Sequence, residues 1–341
     1  MTKTNFLKAA FVSCLMALCW LPMNAQSGSV RGDVNQDGGV DISDATALIN
    51  YLLTGDDTNF NRAIADVDYS GTVDISDATT LINFLLNGEW PYEAPEPITI
   101  TLSGSSVTFD IVLVEGGTFM MGGREDDPRA RPWEFPAHEV TVSDFYIGVT
   151  EVTQELWRAV MGTSSSNSPF WFTSYNGYTN NYKRPAENVT FAQCQTFITK
   201  LNQKTGKTFR MLTEAEWEYA ARGGKLSRGY MFPGSNDVDE VAWHKGNSQD
   251  VTYPVGQKLP NELGLYDMGG NVEEWCSDWY GLYTDAAQTN PTGPTSGSTR
   301  VVRGASWDQA WYSCRPSARH DGGIPTYAHA RRGLRIAMKA Q

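Results

Sequence analysis

Between residues 33 and 77 the chain spells one twelve-residue pattern twice, and that pattern dictates what the segment can fold around. Asp33, Asn35, Asp37, Gly39, Asp41 and Asp44 are matched 33 residues later by Asp66, Asp68, Ser70, Thr72, Asp74 and Asp77. Side-chain oxygens stand at loop positions 1, 3, 5, 9 and 12, and Gly39 or Thr72 offers a backbone carbonyl. Gly38 or Gly71 allows the sharp turn, and Val40 or Val73 follows it. A hard cation such as calcium takes this kind of oxygen set. Residues 26 to 92 hold eleven acids against Arg31 and Arg62, a charge of -9, and that density demands a counter-cation. Each loop runs into an apolar helical stretch. Leu48, Ile49, Leu52 and Leu53 form the first, and Leu81, Ile82, Phe84 and Leu85 the second. Gly55 and Gly88 stop them. The expectation is a small all-α module with two calcium ions.

A paired EF-hand-like loop and helix with Asp rather than Glu at position 12 closely resembles a type I dockerin, over residues 31–89. The resemblance implies a cohesin-bearing partner and folding driven by calcium. Loop positions 10 and 11 choose the partner in that family. Here they are Ile42-Ser43 and Ile75-Ser76 in place of the usual hydroxyl pairs, so the partner is not named. Arg31-Gly32-Asp33 looks like an adhesion tripeptide, but Asp33 is committed to calcium.

The flanking segments bear on compartment. Lys3 and Lys8, the apolar run Ala9 to Leu21 and Met23-Asn24-Ala25 read as an export signal over residues 1–25. Cys14 and Cys19 leave with it, and neither follows a lipobox. The run is short for a bilayer span. A secreted protein, extracellular or associated with the cell surface and without a membrane span, is expected. The formal net charge of -12 excludes nucleic acid as a partner. Three cysteines then remain, Cys194, Cys276 and Cys314, suggesting one disulfide and one buried thiol in an oxidising compartment. Residues 90–98 form a proline-rich linker with Pro91, Pro95 and Pro97.

Residues 99–341 form one large domain. Ile98 to Leu102 and Phe109 to Val114 read as strands, and Val140, Val142, Phe145 and Ile147 as one further strand. A helix starts at Thr153 and stops at Gly162. A second runs from Thr190 to Gly206 with Cys194 on its apolar face. A third opens with a Thr213/Glu216 capping box and closes at Gly223. Gly116-Gly-Thr-Phe, Thr150-Glu-Val-Thr, Leu212-Thr-Glu-Ala-Glu-Trp-Glu-Tyr, Gly264-Leu-Tyr-Asp-Met, Gly270-Asn-Val, Arg303-Gly-Ala-Ser-Trp and Gly333-Leu-Arg335 follow in order. Together they resemble the formylglycine-generating enzyme, or sulfatase-modifying factor, superfamily. That implies an irregular α+β fold of the C-type-lectin kind.

The resemblance also implies one calcium ion held by Asp267, the carbonyls of Gly270 and Val272, and Glu274. It implies a Cys194–Cys314 disulfide, leaving Cys276 as a free thiol. Active members hold copper(I) with two cysteines just after the C-terminal turn and oxidise a substrate cysteine. Here Trp307 to Ser313 contains no cysteine, so no copper is expected. His138, His244, His320 and His329 lack ligand spacing. Two readings stand. In the first, the domain is a non-catalytic binder of a glycan or protein, through Trp307, Asp308, Gln309, Trp311 and Tyr312, with His320, Tyr327 and His329 beside them. A second aromatic patch runs from Phe170-Trp171-Phe172 to Tyr175 and Tyr178, and the same aromatics could equally be core. The alternative is an oxidase acting on sulfatase cysteines, disfavoured by the missing cysteine pair.

Overall fold

The computed structural model describes residues 31–58, 60–68, 72–88, 94–164, 169–172, 174–175, 178–179, 182–320 and 322–340. The expected export signal, Ser70 and the first part of the linker lie outside the described residues. The chain divides into two compact units, residues 1–93 and 94–341.

In the first unit, α1 (Ile42–Thr54) begins at Asp41, whose side chain accepts the Ser43 N–H, while Asp44 returns a bond to the Asp41 N–H. A short helix α2 (Arg62–Ala65) follows, and α3 (Ile75–Asn87) repeats the first arrangement with Asp74 and Asp77. Such capping boxes satisfy amides that have no partner inside the helix. Gly55 and Gly88 end α1 and α3 at φ of 74° and 75°, the left-handed region glycine enters without a steric penalty. Val34, Ala45, Leu48, Ala65, Val67, Ala78, Leu81 and Phe84 form the core.

In the second unit, β1 (Ile98–Thr101), β2 (Thr108–Val114), β3 (Gly117–Met121), β4 (His138–Val142) and β5 (Phe145–Gly148) come first. The apolar run through Val140 and Ile147 is therefore two strands. Ser143-Asp144 separates them, and they enter different sheets. Helix α4 (Gln154–Met161) is capped by Thr153. The two-residue strands β6 (Ser174–Tyr175) and β7 (Tyr178–Thr179) pair with each other. Helix α5 (Phe191–Thr205), β8 (Phe209–Met211), α6 (Glu214–Ala221) and α7 (Val238–Val241) follow. Strands β9 (Glu273–Trp279), β10 (Gln288–Thr289), β11 (Arg300–Arg303), β12 (Arg332–Gly333) and β13 (Ile336–Lys339) complete the chain.

The main sheet has the order β1-β2-β5-β13-β8 and is antiparallel throughout. Side chains alternate between its faces. Ile111, Phe209, Met211 and Ile336 pack with α4 and α5, where Trp157 stacks on Phe197 at 4.8 Å. Val112, Val114, Phe145, Ile147 and Ala337 pack on the other face with Trp217 and Ala220 of α6. Two smaller sheets, β10-β4-β3 and β11-β9-β12, flank this sandwich.

All eight residues of α6 are buried, including Glu214, Glu216 and Glu218. The helix has no solvent face because each glutamate meets an arginine. Arg210 takes Glu216 at 2.6 Å, and Arg319 takes Glu214 at 2.6 Å. Glu218 pairs with Arg222 at 2.7 Å and with the fully buried Arg303. Burial raises the Glu218 pKa, but Arg222 and Arg303 outweigh it and hold the carboxyl below its usual range. Arg303 also donates to the carbonyls of Pro316 and Ala318, fastening the C-terminal segment.

The expected Cys194–Cys314 disulfide is not formed, and all three cysteines are free and buried. Cys194 on α5 faces the cluster around Trp157 and Phe197. Cys314 belongs to a different cluster with Phe232 and Ala305, where it packs against Gly269. The apolar helix face that carries Cys194 is used for packing on the main sheet and does not meet the C-terminal turn.

Replacing Arg303 by leucine leaves the buried Glu218 with Arg222 alone, weakens the pairing of Glu214 and frees the Pro316 and Ala318 carbonyls. The large domain is expected to lose about 3–5 kcal/mol, read as a lower urea midpoint at unchanged slope.

Candidate functional site

Two regions carry chemistry, the first of them together with a buried acidic cluster in the large domain. The first is the loop pair of the N-terminal module. Ligand oxygens of Asp33, Asp37 and Asp44 lie within 4.8 Å of one another, and those of Asp66, Asp68 and Asp77 do likewise. Asp33 is buried and its Oδ1 has no hydrogen-bond partner. A buried, unpaired carboxylate oxygen in such a cluster fits calcium. The Asn35 side-chain carbonyl accepts the Asp37 N–H at 2.9 Å, and its amide donates to Asp37 and Ser43. Asp41 and Asp74 are the helix caps described above, and the Thr72 hydroxyl donates to Asp74 at 3.2 Å. The position-12 carboxylates do double duty: Asp44 accepts the N–H groups of Asn35 and Asp41, and Asp77 those of Asp68 and Asp74. Burial pushes Asp44 up to about 6 and Asp77 up to about 7.

Within the large domain, the Gly270 turn lies on a buried acidic cluster. Asp267 Oδ2 accepts the Gly256 N–H at 2.7 Å, while its Oδ1 is buried without a partner. Glu274 accepts from Trp217 Nε1 at 2.7 Å and from Arg335 Nε at 2.9 Å. Glu151 accepts the Val272 N–H at 3.1 Å and the Asn271 side-chain amide at 3.0 Å. Burial, with Asp267 and Glu274 nearby, pushes Glu151 well above the usual carboxylate range. Of these three buried carboxylates, Glu274 pairs at 2.8 Å with Arg335, whose remaining N–H groups go to the carbonyls of Gly148, Val149 and Tyr266. The unpartnered oxygen of Asp267 fits a cation there. The sequence motifs contained Glu151 and Arg335 but gave no sign of this role, because their partners lie 120 and 61 residues away.

The second region is the C-terminal turn. At Gly304, φ is 92°, and an added Cβ would stand 3.1 Å from the Trp217 ring. After it, the expected ligand residues separate into two groups. Trp307, Asp308 and Gln309 are half-buried and have internal partners. Trp307 Nε1 donates to the Ala330 carbonyl at 3.2 Å, and its ring meets Phe172 edge-on at 5.2 Å. Asp308 pairs with Arg331 at 2.8 Å. Gln309 Nε2 donates to Glu273 at 2.8 Å and lies 3.2 Å from His320 Nε2. Trp311 is exposed and Tyr312 half-buried, and both lie near residues 129–131: the Arg129 guanidinium lies 5.4 Å from the Trp311 ring and 5.8 Å from Tyr312, with Arg131 5.7 Å from Tyr312. Tyr327 is exposed beside His329.

The second aromatic patch is divided. Phe170 and Phe172 are buried, and Trp171 is 70% exposed. The N–H groups of Trp171 and Phe172 both bind Glu187 Oε1, at 2.5 and 2.9 Å. The side chains of Tyr175 and Tyr178 lie outside the described residues.

The copper donor set does not fit. Cys194, Cys276 and Cys314 sit in three different apolar clusters. Burial raises all three thiols, Cys314 up to about 12.

A tight-turned, helix-poor α+β domain behind a calcium-loop module defines a class, and the comparisons agree with it. The family model described as sulfatase-modifying factor enzyme 1-like domain matches residues 103–340, and that for the dockerin type I domain matches residues 31–86. The chain belongs to the sulfatase-modifying factor family and carries a type I dockerin ahead of that domain. Chaperone protein LppX of Paenibacillus barcinonensis is 32% identical, over 61% of this chain and 81% of that one. The formylglycine-generating enzyme of Thermomonospora curvata is 27% identical, over 60% and 84%. The chain spans only 38% of serine/threonine-protein kinase pkn1 of Chlamydia caviae, at 30% identity and over 67% of its own length. Among solved structures, Treponema denticola variable protein 1 superposes with a TM-score of 0.63 at 32% identity, covering 72% of this chain and 100% of that one. The fold is the irregular, C-type-lectin-like α+β fold of this family.

The raised carboxylates set a pH dependence. An acid held above its unfolded value of 3.8 penalises the folded state once deprotonated, so the calcium-free module loses stability between about pH 4 and 7. Calcium is expected to remove that loss at pH 7, and its affinity is expected to fall as pH drops through 6. Thermal melts with and without chelator, compared with Asp44→Asn and Asp77→Asn chains, check both expectations.

Proposed function

We propose that this is an exported calcium-binding protein that docks through its N-terminal module and recognises a ligand through its large domain without catalysing a reaction. The module takes two calcium ions and a cohesin-bearing partner. Asp267, Glu274 and the carbonyls of Gly270 and Val272 hold a third calcium ion, which balances the buried carboxylates behind the turn. No helix among the described residues is long and apolar enough to cross a membrane. Export rests on the leader-like N-terminus and on the usual extracellular setting of dockerins.

The observation that carries the non-catalytic reading is the state of the cysteines. Copper(I) oxidation needs two adjacent thiolates. The described residues hold single thiols in three separate clusters, each driven toward the protonated form by burial. The turn that frames the family's site is retained, and the exposed Trp311 lies on it beside the half-buried Tyr312. Such rings suit a glycan or protein ligand.

Two measurements test the reading. Copper(I) added to the full chain with a cysteine-containing sulfatase peptide is expected to give no oxygen uptake. Stoichiometric copper binding with turnover would establish the oxidase instead. Cohesin pull-down is expected to succeed in calcium and to fail in chelator, and calcium-independent capture would remove the docking claim.

A further inference from the structure

We infer that the ligand of the C-terminal surface is an acidic saccharide, bound by Arg129 and Arg131 across Trp311 and Tyr312. This rests on the ligand-binding reading above. It comes from the charge balance of one loop. Residues 124–134 carry Arg124, Arg129 and Arg131 against Glu125, Asp126, Asp127 and Glu134. The acids are largely occupied. Asp126 pairs with Arg124 at 2.8 Å, while Asp127 and Glu134 both turn inward to the buried Arg315, at 2.7 and 2.9 Å. Among the described residues no carboxylate pairs with Arg129 or Arg131. Both arginines are exposed, on a chain whose net charge is -12.

Both arginines are also held in place. The Arg129 N–H donates to Asp127 at 2.8 Å, and its carbonyl accepts from Arg315 Nη2 at 3.0 Å. The Arg131 N–H donates to Glu134 at 3.1 Å. Arg315 Nε reaches the Tyr312 carbonyl at 2.8 Å, so one buried guanidinium fixes the loop and the turn together. Two stacked guanidiniums with free N–H forks match carboxylate or sulfate oxyanions. Trp311 and Trp133, each 38% exposed, add ring faces of the kind that cover a pyranose. The surface is built from a loop and a 3-10 turn and offers no strand edge for peptide pairing.

The test uses the full chain in calcium with four immobilised probes: polygalacturonate for carboxylate, dextran sulfate for sulfate, dextran as the neutral control, and polyglutamate as an acidic peptide. At least one acidic polysaccharide is expected to bind in preference to dextran and polyglutamate, and the tighter of the two identifies the oxyanion. Arg129→Ala and Arg131→Ala should each weaken that binding about tenfold and flatten its salt dependence. Unchanged melting curves would show that these exposed variants still fold. Several results overturn the inference. Dextran binding as tightly, with loss only in Trp311→Ala, leaves a ligand surface but removes its acidic specificity. Polyglutamate binding best makes the partner a protein. Binding by no probe, or binding untouched by all three substitutions, removes the saccharide assignment altogether.

Discussion

The contact between Glu218 and Arg303 is the constraint on which the large domain depends. Each side chain is fully buried, and each has one further ionic partner, Arg222 for Glu218 and Glu214 for Arg303. Their pairing lets α6 run through the interior with no face in water. It therefore lets one short helix back the main sheet, the β9–β11 ribbon and the C-terminal segment at once. Arg222 and Arg319 extend the same logic to either side. A wholly apolar helix would bury as much surface. It could not also anchor the Pro316 and Ala318 carbonyls through Arg303. The turn after Gly304 keeps its place because charge, rather than oil alone, fills the space beneath it.

Much of this was legible where the causes are local. Helix starts follow from Thr153, Thr190 and Thr213, because a cap and its amide are three residues apart or closer. The acidic clusters of the two loops were legible for the same reason. Ordered family motifs supplied the fold. What stayed hidden was long-range partnership. Glu218 and Arg303 are separated by 85 residues, and Glu134 and Arg315 by 181. No periodicity marks such pairs, and three glutamates on α6 look like a solvent face until their arginines are found. The cysteine pairing failed for a related reason: Cys194 was rightly placed on an apolar helix face, but that face had already found its partner in the sheet. Val140 to Ile147 read as one strand because apolar alternation does not show a two-residue corner.

The N-terminal module economises on acids. Asp44 and Asp77 belong to the acidic clusters of their loops and also accept the amides of the capping residues Asp41 and Asp74. Metal site and helix start are thus one hydrogen-bonded unit, and the helix cannot be ordered independently of the loop. The small core around Leu48 and Leu81 is modest for a unit this size.

Arg315 grips its surroundings in an uneven way. Toward the core it holds side chains, Asp127 and Glu134, but toward the surface it holds main chain, the carbonyls of Arg129 and Tyr312. Main-chain atoms are the same whichever residue supplies them. The outer positions can therefore exchange side chains while the loop keeps its shape. The buried clamp carries the geometry, and it is indifferent to the side chains displayed outside it.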